Sequence, residues 1–183
     1  MSVNIMNGRF YQQRLYIINR AGSGDAHYVQ LSYDHTEIIS FSVKTDHWRA
    51  IKNLCNFGVA VVDNLLYIIG GFDKIHARPV DQVLRYNPDD GEWKERAPLF
   101  RARAKFGTCI SDGKIYVTGG ELNDGKLTST CEIYDPGTNK WEQGSSLKSP
   151  RANHACGVYQ DDIYVAGGCF GNQSHDNICR SLW

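Results

Sequence analysis

One pattern of apolar and polar positions recurs along the chain: a short run of aliphatic, β-branched and tyrosine residues that ends in paired glycines. Leu66-Tyr67-Ile68-Ile69 runs into Gly70-Gly71, Ile115-Tyr116-Val117-Thr118 into Gly119-Gly120, and Ile163-Tyr164-Val165-Ala166 into Gly167-Gly168. Tyr116 lies 49 residues after Tyr67, and Tyr164 lies 48 after Tyr116. A fixed period of this length means that one supersecondary unit is stacked.

Around each phrase the alternation predicts short strands. In the second repeat these are Phe57 to Val62, Leu65 to Ile69, Val83 to Tyr86 and Glu92 to Glu95, with a loop over Phe72 to Asp81. Asp63-Asn64 and Asn87-Pro88-Asp89-Asp90-Gly91 are the turns, because these residues accept positive φ or preset it. The third repeat restates the order: Phe106 to Ser111, the hairpin signature Asp112-Gly113, the glycine phrase, a loop over Glu121 to Ser129, then Glu132-Ile133-Tyr134, a turn and Trp141. The first repeat is worn. Leu15-Tyr16-Ile17-Ile18 keeps the phrase, but Asn19-Arg20 replaces the glycines. Ser23 to Gln30 reads as a loop, Ile38 to Val43 as a strand and Lys44 to Asp46 as a turn. Its opening strand is expected between Ser2 and Phe10, and Trp48 should open its last strand. In the fourth repeat Ala155 to Tyr159 and Ile163 to Ala166 flank Asp161-Asp162, and the sequence stops around the place of the third strand. The repeats fall at approximately 1–50, 51–97, 98–147 and 148–183 of one domain. Unrelated hairpins in a sandwich would not keep tyrosine, glycine pair, proline turn and tryptophan in one phase.

Charge narrows the function. Lys+Arg and Asp+Glu are both 20, so the formal net charge is zero. Broad electrostatic capture of nucleic acid or of an anionic membrane needs a basic surplus and is not expected. No apolar run reaches the roughly 18 residues of a membrane span, and Met1 to Phe10 lack the build of a secretory signal. The six cysteines contain no Cys-x-x-Cys. Cys109 and Cys156 share a repeat phase, as do Cys131 and Cys179. Phase therefore accounts for them better than a disulfide framework or a zinc site, and reduced thiols in the cytoplasm are expected. The sequon Asn172-Gln173-Ser174 is then incidental.

Four antiparallel strands make a blade, and blades packed side by side cover both faces of their inner strands. That explains second strands that are apolar at nearly every position. Glycines let neighbouring backbones approach, and Trp48, Trp93 and Trp141 read as wedge packing rather than a ligand cage. The set Tyr116, Gly119-Gly120, Tyr134-Asp135-Pro136 and Trp141, preceded by Arg103, resembles the Kelch repeat, over about residues 14 to 180. WD repeats fit poorly, since Arg49, Lys94 and Glu142 follow the tryptophans. The expected fold is thus all-β: a Kelch-type β-propeller fragment of about four blades of four-stranded antiparallel sheet, the first and last incomplete. Tyr86-Asn87-Pro88, Pro98-Leu99 and Pro150-Arg151 look most like the Kelch domains of BTB–Kelch proteins.

That resemblance implies a protein-interaction module, the substrate reader of a cullin-RING ubiquitin ligase adaptor. Cullin would be held only through a BTB region, and this sequence contains no BTB-like segment. The competing readings are an actin-binding Kelch protein, a truncated product without independent function, and a Kelch-fold enzyme. No cluster of His, Tyr and Cys supports the last, so no catalytic group, metal or cofactor is expected. Partners of Kelch propellers dock on one rim, where loops enter the first strand and leave the second. Here the resemblance places Asn56, Phe57, Arg103, Lys105, Arg151, Asn153 and His154 on entry loops, and Phe72, Asp73, Glu121 and Asn123 on exit loops. Arginines among aromatics have the composition of interface hot spots, although Arg103 and Arg151 could instead brace neighbouring blades. His154 stands where the other repeats have Phe57 and Phe106, and no second histidine lies at metal-ligand spacing.

Overall fold

A computed structural model describes the backbone of residues 15–20, 26–31 and 38–42, and the full structure of residues 53–87, 89–160 and 162–170. Every regular element among the described residues is a β-strand, and contacts divide the chain into two units, Met1–Asn53 and Leu54–Trp183.

The first unit carries an antiparallel meander of β1 (Leu15–Arg20), β2 (Ala26–Leu31) and β3 (Ile38–Ser42), in that order across the sheet. This corrects the loop expected over Ser23 to Gln30, since Ala26 to Gln30 lie in β2 and pair with β1 from Arg20↔Ala26 to Tyr16↔Gln30. Asn19-Arg20 supply no glycine break, so β1 runs through them and Tyr28-Val29 continue as strand. β3 occupies the expected third strand but pairs with β2 instead of with β1. The expectations for Ser2 to Phe10, Lys44 to Asp46 and Trp48 lie outside the described residues.

The second unit holds two complete blades and the start of another. One blade is β5 (Gly58–Val62), β6 (Leu65–Asp73), β7 (Arg78–Asn87) and β8 (Glu92–Arg96), with β4 (Leu54–Cys55) pairing the far end of β6. The next is β10 (Gly107–Ser111), β11 (Lys114–Thr118), β13 (Cys131–Asp135) and β14 (Lys140–Gly144). Beside it β9 (Arg103–Ala104) pairs with β12 (Glu121–Leu122). The last described hairpin is β15 (Ala155–Tyr159) with β16 (Asp162–Ala166). Asp63-Asn64 and Asp112-Gly113 all take positive φ, as tight hairpins require.

The loop expected over Phe72 to Asp81 is also corrected. β6 passes through its glycines with a register shift between Ile69 and Gly71, then pairs on through Phe72↔Pro79 and Asp73↔Arg78. The turn shrinks to residues 74–77, because Asp73 Oδ1 accepts the backbone N–H groups of Ile75 and His76 and Ala77 takes φ 51°. In the third repeat the corresponding segment pairs only briefly, through Glu121 and Leu122, and turns over 123–126, where Asp124 Oδ1 accepts the Lys126 N–H, before an irregular stretch to Thr130.

Blade packs on blade through side chains that the period places opposite each other. Tyr67, Ile69, Ile115, Val117, Tyr134 and Trp141 belong to one buried cluster between the complete blades. Cys109, Leu147, Ile163 and Val165 form another with the next hairpin. Trp141 donates its indole N–H to the Ala97 carbonyl (2.7 Å), and Tyr134 O–H donates to Asn139 Oδ1 (2.7 Å). Gly107 makes the second joint close: a Cβ there would stand 2.6 Å from His154 Nε2 and 2.9 Å from the Cys156 Cβ.

Candidate functional site: the loop rim

Three entry loops and three exit loops meet at one end of the second unit in repeat-equivalent crossings. Cys55 pairs with Phe72, Ala104 with Glu121, and Ala152 with Cys169. One residue past each entry position stand Asn56, Lys105 and Asn153, all left-handed at φ 55°, 59° and 57°. Their backbones join into a ladder: Lys105 N–H donates to the Asn56 carbonyl at 3.0 Å, and Asn153 N–H to the Lys105 carbonyl at 2.7 Å. The left-handed turn tips each peptide towards its neighbour. Asparagine tolerates that conformation; lysine is strained in it, and strain held by surrounding structure concentrates at functional sites.

The side chains on this frame differ from repeat to repeat. Lys105 Nζ pairs with Glu121 Oε2 at 2.7 Å, with both side chains about a third exposed or a little less. Asn56 and Asn153 direct their amides to the sulfurs of Cys55 and Cys169 at 3.8 and 3.9 Å. Asp73 carries His76 on its second oxygen at 2.5 Å, and this hydrogen bond, ahead of those from the backbone, holds its carboxyl below the usual range. Asn123 is exposed on the turn closed by Leu122 N–H to the Lys126 carbonyl. Phe57 and Phe72 are half-buried, with Phe57 packed against Gly71.

Three of the expected rim residues are turned inward instead. Arg103 is wholly buried: Nη1 donates to the carbonyls of Gly119 (3.0 Å) and Thr130 (3.2 Å), and Nη2 to Thr130 Oγ1 (3.1 Å) and to the Glu132 carboxylate. Burial lowers its pKa, and Glu132 pulls it back up. The other Glu132 oxygen accepts Phe100 N–H at 2.7 Å, so the buried pair is hydrogen-bonded on both sides. Arg151 is equally buried. It donates to the Gly167 carbonyl and Ser149 Oγ, each at 3.2 Å, with its guanidinium 4.4 Å from the Phe170 ring centre. His154 is 7% exposed, its Nε2 lying 3.0 Å from Thr118 Oγ1, and burial lowers its pKa to about 4. Arg103 and Arg151 tie their entry loops to their own repeats, and His154 reaches across to Thr118 of the preceding blade; the surface is left to Asn56, Lys105, Asn153 and the exit loops. No group of His, Cys, Asp and Glu able to hold a metal occurs among the described residues.

Two features were missed from sequence. Glu132 had a signal, since Arg103 and Glu132 replace Leu54 and Leu84 of the preceding repeat as a pair. Ile75 had none: it is 66% exposed at the tip of a hairpin that reads as an open loop.

Antiparallel blades joined at glycine contacts, with short loops gathered at one end, define a β-propeller repeat protein. A family profile described as KLHDC2/KLHL20/DRC7 Kelch-repeats domain matches residues 56–183, and the chain belongs to the Kelch-repeat family. It is 41% identical over 81 residues to Kelch-like protein 40 of Xenopus tropicalis, covering 43% of this chain and 13% of that protein. It is 32% identical over 91 residues to human Kelch repeat and BTB domain-containing protein 12, covering 44% and 15%. With Kelch-like protein 41a of Danio rerio the figures are 33% over 102 residues, 54% and 17%. The matched segments thus span 13 to 17% of these relatives' lengths. Among solved structures, one titled "Structure of YjhT" superposes with a TM-score of 0.68 at 18% identity, over 88% of this chain and 56% of its own, which is a likeness of fold.

Proposed function

We propose that the rim captures a protein partner and that the chain is a non-enzymatic interaction module. The observation that carries this reading is the ladder through Asn56, Lys105 and Asn153, a fixed backbone frame on which the repeats carry different side chains. Specificity then lies in the Lys105–Glu121 pair, Asn123, Asn153, the Asp73–His76 turn and the exposed Ile75 beside it. An apolar anchor rimmed by polar groups is the make-up of a binding hot spot. The finer reading is a cullin-RING ubiquitin ligase adaptor working in the cytoplasm, with cullin held through a BTB region elsewhere in a longer product. Its support is the family membership and a relative whose name includes a BTB domain. No helix among the described residues is long and apolar enough to cross a membrane.

The test is affinity purification of the full-length gene product from its native cells. Co-purification of a cullin, lost when upstream coding sequence is removed, supports the adaptor. Co-sedimentation with filamentous actin and no cullin in any cell type supports the cytoskeletal alternative and ends the adaptor reading.

A further inference from the structure

Cys109 in β10 and Cys156 in β15 lie on the first strands of neighbouring blades, 47 residues apart in sequence, with their sulfurs 2.9 Å apart. That is inside the roughly 3.5–4.0 Å of ordinary non-bonded carbon contacts, and sulfur is the larger atom. Both are free thiols. The joint brings the two strands close, because Gly107 lets the Cβ of Cys156 and the ring of His154 come nearer than any side chain there would allow. A bridging zinc, at about 2.3 Å from each sulfur in a tetrahedral site, needs the sulfurs further apart than this.

The two thiols are chemically unequal. The hydrogen bond between the two thiols, helped by one with Thr118, outweighs burial and draws the Cys156 thiol below its ordinary range. The same contact, together with burial, pushes the Cys109 thiol far up. Cys156 as a residue is half-buried and Cys109 is 8% exposed, and the thiol drawn towards its thiolate is the better nucleophile of the two. The nearby Cys131 is pushed up to about 12 by burial and stays a thiol.

We propose that Cys109 and Cys156 are an oxidisable pair that closes to an inter-blade disulfide when the protein meets a hydroperoxide. The Cys156 thiolate attacks the peroxide oxygen, the O–O bond breaks, and a sulfenic acid forms as the alcohol or water leaves. The Cys109 sulfur then displaces the sulfenic hydroxyl, its proton leaves with that hydroxyl as water, and the S–S bond forms. With hydrogen peroxide, two thiols are oxidised and one peroxide is reduced to two waters. The sulfurs must close from 2.9 Å to about 2.05 Å. The bond would tie two blades together just beneath the Lys105–Asn153 rung of the rim ladder, so the redox state would stiffen or free the proposed binding surface.

The experiment is treatment of the native full chain with hydrogen peroxide, then alkylation and peptide mass mapping. The expected product is a dithiothreitol-sensitive peptide linking Cys109 to Cys156, with a higher melting temperature than the reduced protein. In Cys109→Ser, dimedone should trap Cys156 as the sulfenic acid; in Cys156→Ser, Cys109 should stay unmodified. Full alkylation of both thiols after peroxide would overturn the proposal. So would links shared among Cys131 and Cys169 in the pattern given by protein oxidised in denaturant.

Discussion

Arg103 and Glu132 make a buried ion pair whose worth depends on both members being present. Breaking such a pair leaves an uncompensated charge in the interior and costs about 3–5 kcal/mol, whereas an apolar pair of similar volume can replace it at little cost. The preceding repeat already uses that substitute, with Leu54 and Leu84 both buried at the equivalent positions. Glu132→Leu alone is therefore expected to destabilise by about 3–5 kcal/mol in urea unfolding. Arg103→Leu with Glu132→Leu should recover part of that, leaving about 1–3 kcal/mol for the Phe100 N–H that has lost its acceptor and the Gly119 carbonyl that has lost the Arg103 donor. A double variant no more stable than the single one would contradict the bracing role. His154 gives a pH signature. Its folded-state pKa of about 4 lies below the ordinary 6.5, so between those values the unfolded chain binds more protons than the folded one. Stability should fall as pH drops from 6.5 through 4, by an amount on the order of 2–3 kcal/mol. His154→Phe, which copies Phe57 and Phe106, should flatten that part of the profile.

At the scale of the element, the glycine phrases were the most legible part of the sequence, because their period carries both a strand and its packing. The reason for each glycine became visible only with the neighbouring blade in place. Gly119 takes φ 62°, and a Cβ on it would come 2.6 Å from the Arg151 carbonyl, a backbone atom that cannot swing away. Gly119→Ala should cost about 1–3 kcal/mol or more and lower the melting temperature, while Ala at the open turn glycine Gly113 should cost only the strain of its positive φ. Rim composition was legible in part. Counting along the repeat picked out loops that meet, since Asn56, Lys105 and Asn153 lie together. Counting could not tell that the positions of Arg103, Arg151 and His154 face inward, since an arginine suits a partner's carboxylate as well as its own blade's carbonyls. Nor could it see the hairpin that presents Ile75, which depends on Asp73 capping two backbone N–H groups. The worn first repeat misled differently: Ala21 to Asp25 mark the turn after β1, but the glycine- and serine-rich start of that stretch hid the strand that resumes at Ala26.

For the molecule as a whole, the two described joints show what each blade expects of the next. Gly58 receives Phe106, and Gly107 receives His154, whereas among the described residues nothing approaches Gly157 within 4 Å. Tyr159 and Val158 stand 63% and 39% exposed on the same hairpin, and β16 pairs only with β15 among the described strands. Exposed apolar surface favours association. The isolated chain should therefore sediment as a concentration-dependent mixture, and Tyr159→Glu should shift it towards monomer. A single monomeric boundary at all concentrations would argue against this. The central claim is that partners are read by the rim and not by the blade edges. Lys105→Asn tests it most directly, because it copies the neighbouring repeats, keeps the left-handed turn and removes only the charge paired with Glu121. It should be compared, in quantitative affinity purification of the full-length product, with Lys94→Asn on the outer strand and with the unmodified protein. The account predicts that Lys105→Asn and Ile75→Asp lose a common set of partners, at unchanged melting temperature, and that Lys94→Asn keeps them. The same partners retained at equal abundance by all of these variants would contradict it.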